Sequence, residues 1–225
     1  MQSTYGSGGS RAELKARTRA DIKAAALQQL TTGGPGAVSV NAIAKQVGLT
    51  GPAVYRHFAS RDELLTELIV DAYRDLAAAL RAAAEGGRLS PRTRLLAFVA
   101  AYRAWALAEP HRYQLLFAAP LPGYDPQTQP LVEAAQEAMD VLLGLLDPDP
   151  RPVTPRALGR QLGSWAASRG ARVPPATALR AVRVWSRLHG LVSLELEGNF
   201  ASMGVDPGLL LQVEVEELLG EPRAR

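Results

Sequence analysis

Apolar residues recur at helical spacing along most of this 225-residue chain, and no segment shows the alternation of a convincing strand. Glycine, proline and capping residues divide the pattern into helices joined by short connections. The predicted helices span about residues 11–30, 40–47, 51–58, 60–84, 90–108, 131–146, 155–168, 176–197 and 207–219, and a short helical piece spans 113–117. The pattern therefore predicts an all-α protein with about nine helices, a small N-terminal unit and a larger helical body.

Two of these helices are short and are separated by a tight turn. Ser39 is placed to cap the first of them, and Gly48 ends it. Its apolar positions follow the i, i+3, i+4, i+7 pattern of one buried face: Val40, Ile43, Ala44 and Val47. This arrangement predicts a helix that packs on one side and ends in a turn.

The second short helix starts at Gly51, with Thr50 as its cap and Pro52 in its first turn. Val54 and Phe58 lie four residues apart and predict the buried side. The positions left to face outward are Thr50, Gly51, Ala53, Tyr55, Arg56 and His57. An outward face that is small at its start and polar at its end fits the major groove of DNA.

The pattern therefore predicts a helix-turn-helix that binds DNA. Phosphate contacts are expected from Ser39, Asn41, Tyr55, His57 and Arg61. Any base selectivity is expected from Thr50, Gly51, Pro52, Ala53 and Arg56, the last of which can reach a guanine edge or a phosphate. Lys45 belongs to the same predicted surface.

The distribution of charge supports this prediction. Residues 1–61 hold eight basic and two acidic residues, and no acidic residue occurs between Asp21 and Asp62. Since the whole chain has a net charge of +3, the remainder is net negative. Such an asymmetry orients a protein on DNA and makes binding salt-dependent. For the basic residues from Arg11 to Arg19 taken alone, a solvated helix face is an equally good interpretation.

Three domains are predicted: a polar, Gly/Ser-rich disordered arm over 1–10, a DNA-binding domain over 11–62, and a helical regulatory and dimerisation domain over 63–220. No signal peptide is recognisable, and Arg103 interrupts the most apolar stretch, so we expect a cytoplasmic protein that does not contact the membrane.

Several chemistries are excluded or disfavoured. The chain has no cysteine, which excludes disulfides, thiolate catalysis and cysteine-based zinc sites. Its three histidines, His57, His111 and His189, lack the spacing of metal ligands, so no metal is expected. Gly-rich phosphate loops, nucleophile elbows and paired catalytic carboxylates are not found, and we expect neither an enzyme nor a cofactor.

Residues 11–64 resemble the DNA-binding domain of TetR-type transcriptional regulators, above all in Val38–Ala44 and in Gly48-Leu49-Thr50 through Val54–Phe58. The C-terminal part is similar to the WHG-type domain of that family. The segments that carry this second similarity are Pro110–Tyr113 through Phe117, Pro120–Tyr124, and Trp185 with His189-Gly190. The resemblance implies a homodimer on a palindromic operator, released from DNA by a small-molecule ligand.

The residue pattern and the family resemblance each give candidate residues in the helical body. An aromatic set is predicted either to line a ligand cavity or to form ordinary core: Phe98, Tyr102, Trp105, Phe117 and Trp165. The resemblance implies dimer contacts by the last two helices, where the candidates are Trp185, His189, Val192, Leu196, Leu211 and Val215. Burial within one protomer is the alternative for these residues.

A ligand-responsive repressor is therefore the leading hypothesis, and a helical protein-interaction module with weak or no specific DNA binding is the alternative.

Overall fold

The computed structural model describes residues 7–85, 90–117 and 128–218, and within them it contains helices and no strand. The α-helices are α1 (Ser7–Gly33), α2 (Val40–Gln46), α3 (Gly51–Tyr55), α4 (Arg61–Ala84), α5 (Pro91–Ala108), α6 (Pro110–Phe117), α7 (Gln129–Leu145), α8 (Arg156–Ser168), α9 (Pro175–Leu196) and α10 (Pro207–Leu218). Two short 3-10 helices, Pro35–Ala37 and Ala201–Met203, were not predicted. The all-α class is confirmed.

The chain forms two compact units. One comprises Met1–Ala72 with His111–Leu131, and the other comprises Tyr73–Pro110 with Val132–Arg225. The first unit thus reaches ten residues beyond the predicted boundary at 62 and includes most of α6. Leu115 of α6 packs against the apolar core of the first unit, which explains why a segment distant in sequence belongs to it.

Helix α1 begins earlier than predicted. It starts at Ser7, so the last four residues of the predicted disordered arm are helical, and the other six lie outside the described residues. Its buried positions begin only at Ile22, and all side chains from Arg11 to Arg17 are exposed. The turns of α1 from Arg11 to Arg17 are therefore helical without contributing to the core.

The core of the first unit joins α1 to the short helices and to the start of α4. Ile22 and Ile43 are fully buried, and Val54 and Phe58 are 1% exposed. Leu64, Leu65 and Leu68 complete the cluster from α4. Ser60 Oγ accepts a hydrogen bond from the Glu63 amide at 3.0 Å, and the Glu63 carboxylate accepts one from the Ala59 amide, so both side chains satisfy backbone donors at the start of α4.

The second unit is organised around α9, which packs against α5, α8 and α10. Arg103 of α5 donates two hydrogen bonds to Glu195 of α9, at 2.7 and 2.5 Å. Asp75 of α4 accepts a hydrogen bond from the Trp105 indole at 3.0 Å. Among the described residues, no helix is long and apolar enough to cross a membrane.

The burial of α3 gives a direct test of this core. We expect Phe58→Ala to lower the free energy of unfolding by about 3–5 kcal/mol, because it removes a buried ring from a packed cluster. Tyr55→Ala, three residues earlier at the end of α3 and 50% exposed, should change it by less than about 0.5 kcal/mol. Urea unfolding followed by circular dichroism measures both changes, and equal losses of stability in the two variants would contradict the described packing.

Candidate DNA-binding surface

Short-range hydrogen bonds shape the segment from Ser39 to Phe58. Ser39 Oγ accepts from the Ala42 amide at 3.4 Å, and Thr50 Oγ1 accepts from the Ala53 amide at 3.3 Å, so both predicted caps are present. The Leu49 amide closes the turn by donating to the Ala44 carbonyl at 2.8 Å. Gly48 has a φ of +70°, a left-handed conformation in which a residue with a side chain would be strained.

The outward face of α3 is largely as predicted. Thr50, Pro52, Tyr55 and Arg56 are exposed, while Gly51 and His57 are half-buried. Three candidates on or before α2 are also exposed: Ser39, Asn41 and Lys45. A Cβ built on Gly51 would lie 3.1 Å from Asn41 Oδ1, so the absence of a side chain lets the two helices bring these positions together.

One predicted DNA contact requires correction, and a second predicted contact, Arg61, also has a structural role. Ala53 is only 9% exposed, because its methyl group lies in the first turn of a helix that packs against α2, so the prediction that it faces outward is wrong. Arg61 is half-buried, and its Nε donates to the Val38 carbonyl at 2.9 Å. That bond connects the start of α4 to the segment before α2, a structural contact that the prediction of a phosphate ligand did not include.

Arg19 holds the end of α3, a role that the sequence did not reveal. Its guanidinium donates one hydrogen bond to the His57 carbonyl and another to the Glu67 carboxylate of α4. The same group lies 4.1 Å from the centre of the Phe58 ring. Arg19 therefore connects α1, the C-terminal end of α3 and α4.

Lys23 extends this set of contacts by one turn. Its ammonium group lies 2.5 Å from Asp71 and 3.8 Å from Glu67. The charged side chains of these ion pairs are partly exposed, so each pair adds little stability alone. Together the pairs fix the alignment of α1 and α4.

His57 lies among positive charges. Burial lowers the pKa of its imidazole below the ordinary value of 6.5, and the nearby charges of Arg19, Lys15 and Arg56 lower this pKa further. Its Nδ1 is buried without a hydrogen-bond partner among the described residues. The ring is thus held neutral in the free protein at the edge of the surface where phosphates are predicted.

The five aromatic ligand candidates belong to different elements. Phe98, Tyr102 and Trp105 are buried on α5 in the second unit. Phe117 belongs to the first unit, where its ring lies 4.9 Å from that of Tyr113. Trp165 packs in a separate cluster around α8. Their role as ligand contacts stays a prediction.

An open groove of about 440 Å³ lies between the end of α4 and α7. Polar and charged side chains such as Arg81, Glu137 and Asp140 line much of it, and none of the aromatic candidates does.

The dimer candidates divide into two groups. Val192, Leu211 and Val215 are 1%, 3% and 2% exposed, so they lie on faces of α9 and α10 buried within the protomer and are not available to a partner. Trp185, His189 and Leu196 are half-buried. Trp185 packs edge-on against Tyr102 at 5.5 Å, and the Tyr102 hydroxyl lies 3.5 Å from His189 Nδ1. The apolar side chains that α9 and α10 expose are instead Val182, Leu194, Leu209 and Val213.

Two capped short helices, a positive-φ glycine turn and an exposed polar face beside basic residues define a helix-turn-helix DNA-binding domain. Residues 22–68 match the family model of bacterial regulatory proteins of the tetR family. Residues 95–218 match the tetracyclin repressor-like C-terminal domain. The chain belongs to the TetR family of bacterial transcriptional regulators, and it is not an enzyme.

Relatives support this membership over most of their length. The chain is 30% identical to the HTH-type transcriptional regulator Mb1846 of Mycobacterium bovis, over 94% of each chain. It is 41% identical to SCO4313, whose crystal structure superposes with a TM-score of 0.77 over 93% of this chain and 98% of that one. FadR of Bacillus subtilis, crystallised with stearoyl-CoA, shares the fold with a TM-score of 0.61 at 14% identity, over 88% of this chain and 96% of that one.

The environment of His57 predicts a pH dependence of DNA binding. A phosphate beside the ring would favour the imidazolium form, so the pKa of His57 should be higher in the complex than in the free protein. Binding then takes up a proton, and affinity should rise as the pH falls from about 7.5 towards 5.5. Fluorescence anisotropy with a labelled duplex at constant ionic strength measures this effect.

The control for this prediction is a second histidine. His57→Gln should flatten the pH profile, whereas His111→Gln, in the same unit but not among the predicted contacts, should leave it unchanged. A profile that stays equally steep in His57→Gln would show that another group titrates.

Proposed function

We propose that the protein is a homodimeric repressor that binds a palindromic operator through α3 and leaves it when a small molecule binds. The observation that carries this proposal is the exposed face of α3, anchored by buried Val54 and Phe58 and flanked by basic side chains. Recognition helices of this kind enter the major groove, and a two-fold dimer places two of them about one DNA turn apart.

The proposed DNA contacts divide into two roles. Ser39, Asn41, Tyr55 and His57 lie where they can hold phosphates and set the register of the protein on DNA. Thr50, Gly51, Pro52 and Arg56 lie at or in α3 and carry base selectivity. Because three of these four are small or lack a long polar side chain, Arg56 is the main candidate for a direct hydrogen bond to a base edge.

Dimerisation is proposed to use the outer faces of α9 and α10. Leu209 and Val213 are four residues apart on α10 and are 65% and 42% exposed, and Leu194 on α9 is 42% exposed. Exposed apolar side chains on two adjacent helices suit a helix-packed interface between two copies. This face replaces the buried positions that the sequence had suggested.

The effector is proposed to bind in the second unit near α5. Tyr102 and His189 place a hydroxyl and an imidazole 3.5 Å apart between buried apolar residues, which provides polar groups in an apolar setting. The stearoyl-CoA complex of FadR concerns a protein that shares only the fold. It justifies including acyl-CoA compounds in a screen for effectors. Coupling to DNA requires the effector to prefer the conformation that does not bind DNA.

A helical protein-interaction module remains the alternative function. Its first unit would keep the same core but would not select a DNA sequence. The two functions make different predictions for the basic surface of α2 and α3, because an adaptor would not depend on it.

Selection of bound duplexes from a random pool distinguishes the two functions. We expect a palindrome that binds with a steep salt dependence. Arg56→Ala with Lys45→Ala should weaken this binding and reduce the slope of log affinity against log salt by about 1 for each phosphate that the variant no longer binds. Both positions are exposed, so the variant should stay folded. If folded, dimeric wild-type protein enriches no sequence, the repressor proposal fails.

The dimer face is tested by charge. Leu209→Glu with Val213→Glu should convert the dimer to a monomer, because two carboxylates would have to be desolvated in an apolar interface. Leu107→Glu, a comparable exposed position on α5 (40%), serves as the control and should leave the mass unchanged. Sedimentation equilibrium measures the mass of each variant. A double variant that remains dimeric would place the interface elsewhere.

A further inference from the structure

Four basic residues repeat at every fourth position of α1: Arg11, Lys15, Arg19 and Lys23. Residues spaced by four lie on one face of a helix, so they form a single basic stripe. The inner members, Arg19 and Lys23, pair with Glu67 and Asp71 of α4. Like charges at this spacing repel one another, and the two carboxylates offset that repulsion for half of the stripe.

The outer members extend past the start of α4. Pairing of residue 19 with 67 and of 23 with 71 shows that α1 and α4 run in parallel with matched register. Helix α4 continues for six residues before Glu67, about 9 Å, whereas α1 continues for twelve residues before Arg19, about 18 Å. Glu63, one turn before Glu67, already accepts a hydrogen bond from the Ala59 amide.

Arg11 and Lys15 are exposed and form no ion pair with the described residues. None of the side chains from Arg11 to Arg17 is buried, so packing does not account for this part of α1. Two like charges on one face, with no counter-ion from the described part of the chain, mark a surface that an external polyanion would stabilise.

The stripe leads directly to the end of the recognition helix. Arg19 binds the His57 carbonyl and lies over Phe58, and Lys15 is close enough to His57 for its charge to affect that imidazole. Arg11 lies one turn further from the core. The inner end of the outer stripe, at Lys15, is therefore near the predicted phosphate contact of His57.

We propose that Arg11 and Lys15 form a second DNA contact, on the phosphate backbone that flanks the groove occupied by α3. This contact rests on DNA binding by the helix-turn-helix. Packing against the core does not explain why this part of α1 is present. The proposed contact gives it a function. Long basic side chains on an exposed helix neutralise phosphates without reading bases, so the contact adds affinity and not sequence preference.

The opposite side of the same turns provides a matched control. Two residues correspond to about 200° of rotation, so Arg17 lies across the helix from Lys15. Glu13, the acidic residue of this segment, lies on that side too, four residues before Arg17, at a spacing that favours pairing. Removing Arg17 changes the charge of the extension without changing the stripe.

The test measures binding to the selected duplex across a salt series for wild type, Arg11→Ala with Lys15→Ala, and Arg17→Ala. The stripe variant should lower the slope of log affinity against log salt by about 1.8 per protomer, which corresponds to two phosphates. Its loss of affinity should be about tenfold larger at 50 mM than at 200 mM salt for each protomer, and therefore about a hundredfold larger for a dimer. Arg17→Ala should keep the wild-type slope. Alanine has the highest helix propensity, so α1 should remain helical in each variant, and circular dichroism checks this.

The length of the duplex locates the contact. Trimming the flanking base pairs should reduce wild-type affinity towards that of the stripe variant, and it should leave the stripe variant unchanged. Equal slopes for wild type and the stripe variant would overturn the proposal, as would equal effects of the stripe variant and Arg17→Ala. Failure of the wild type to select any duplex is a separate result that would reject the proposed repressor function.

Discussion

The DNA-binding surface depends on how a five-residue helix is held in place. A helix as short as α3 is not stable alone in water, so its position comes entirely from contacts with the rest of the first unit. Val54 and Phe58 supply the apolar contacts with the core, and Thr50 caps the start of α3. Arg19 binds the carbonyl of His57 at its end. Tertiary packing thus fixes both the tilt and the depth of the face that meets DNA.

The anchoring of α3 also explains why its face is sparse. A helix of five residues that gives Val54 to the core and packs Ala53 against α2 leaves few side chains free. Gly51 presents no side chain, and its backbone lies close to Asn41. With so few side chains, sequence specificity must come from the close fit of α3 in the groove and from phosphate contacts that set the register of the protein on DNA. Arg56 is the main candidate for a direct hydrogen bond to a base. Additional phosphate contacts outside α3 would then contribute a large share of the affinity.

Local patterns predicted most of the fold. The helices from α7 to α10 agree with the predicted spans within two residues, because capping residues, prolines and glycines mark their ends. The caps at Ser39 and Thr50 and the buried pair Val54 and Phe58 were predicted for the same reason. The sequence could not show that α6 joins the first unit, since that depends on the contact of Leu115 with a core about fifty residues away or more.

The errors share one physical cause: side-chain direction depends on partners that periodicity does not specify. Ala53 was predicted to face outward from its helical angle alone, yet the neighbouring α2 covers its methyl group. Val192, Leu211 and Val215 were assigned to a surface because they are apolar and periodic, which buried and interface residues have in common. The basic residues of α1 illustrate the converse case. Arg19 and Lys23 meet carboxylates only because α4 runs in parallel with α1, and that same register leaves Arg11 and Lys15 without an acidic partner among the described residues. One run of basic residues therefore has two roles, since α1 extends further towards its N-terminus than the helix it packs against.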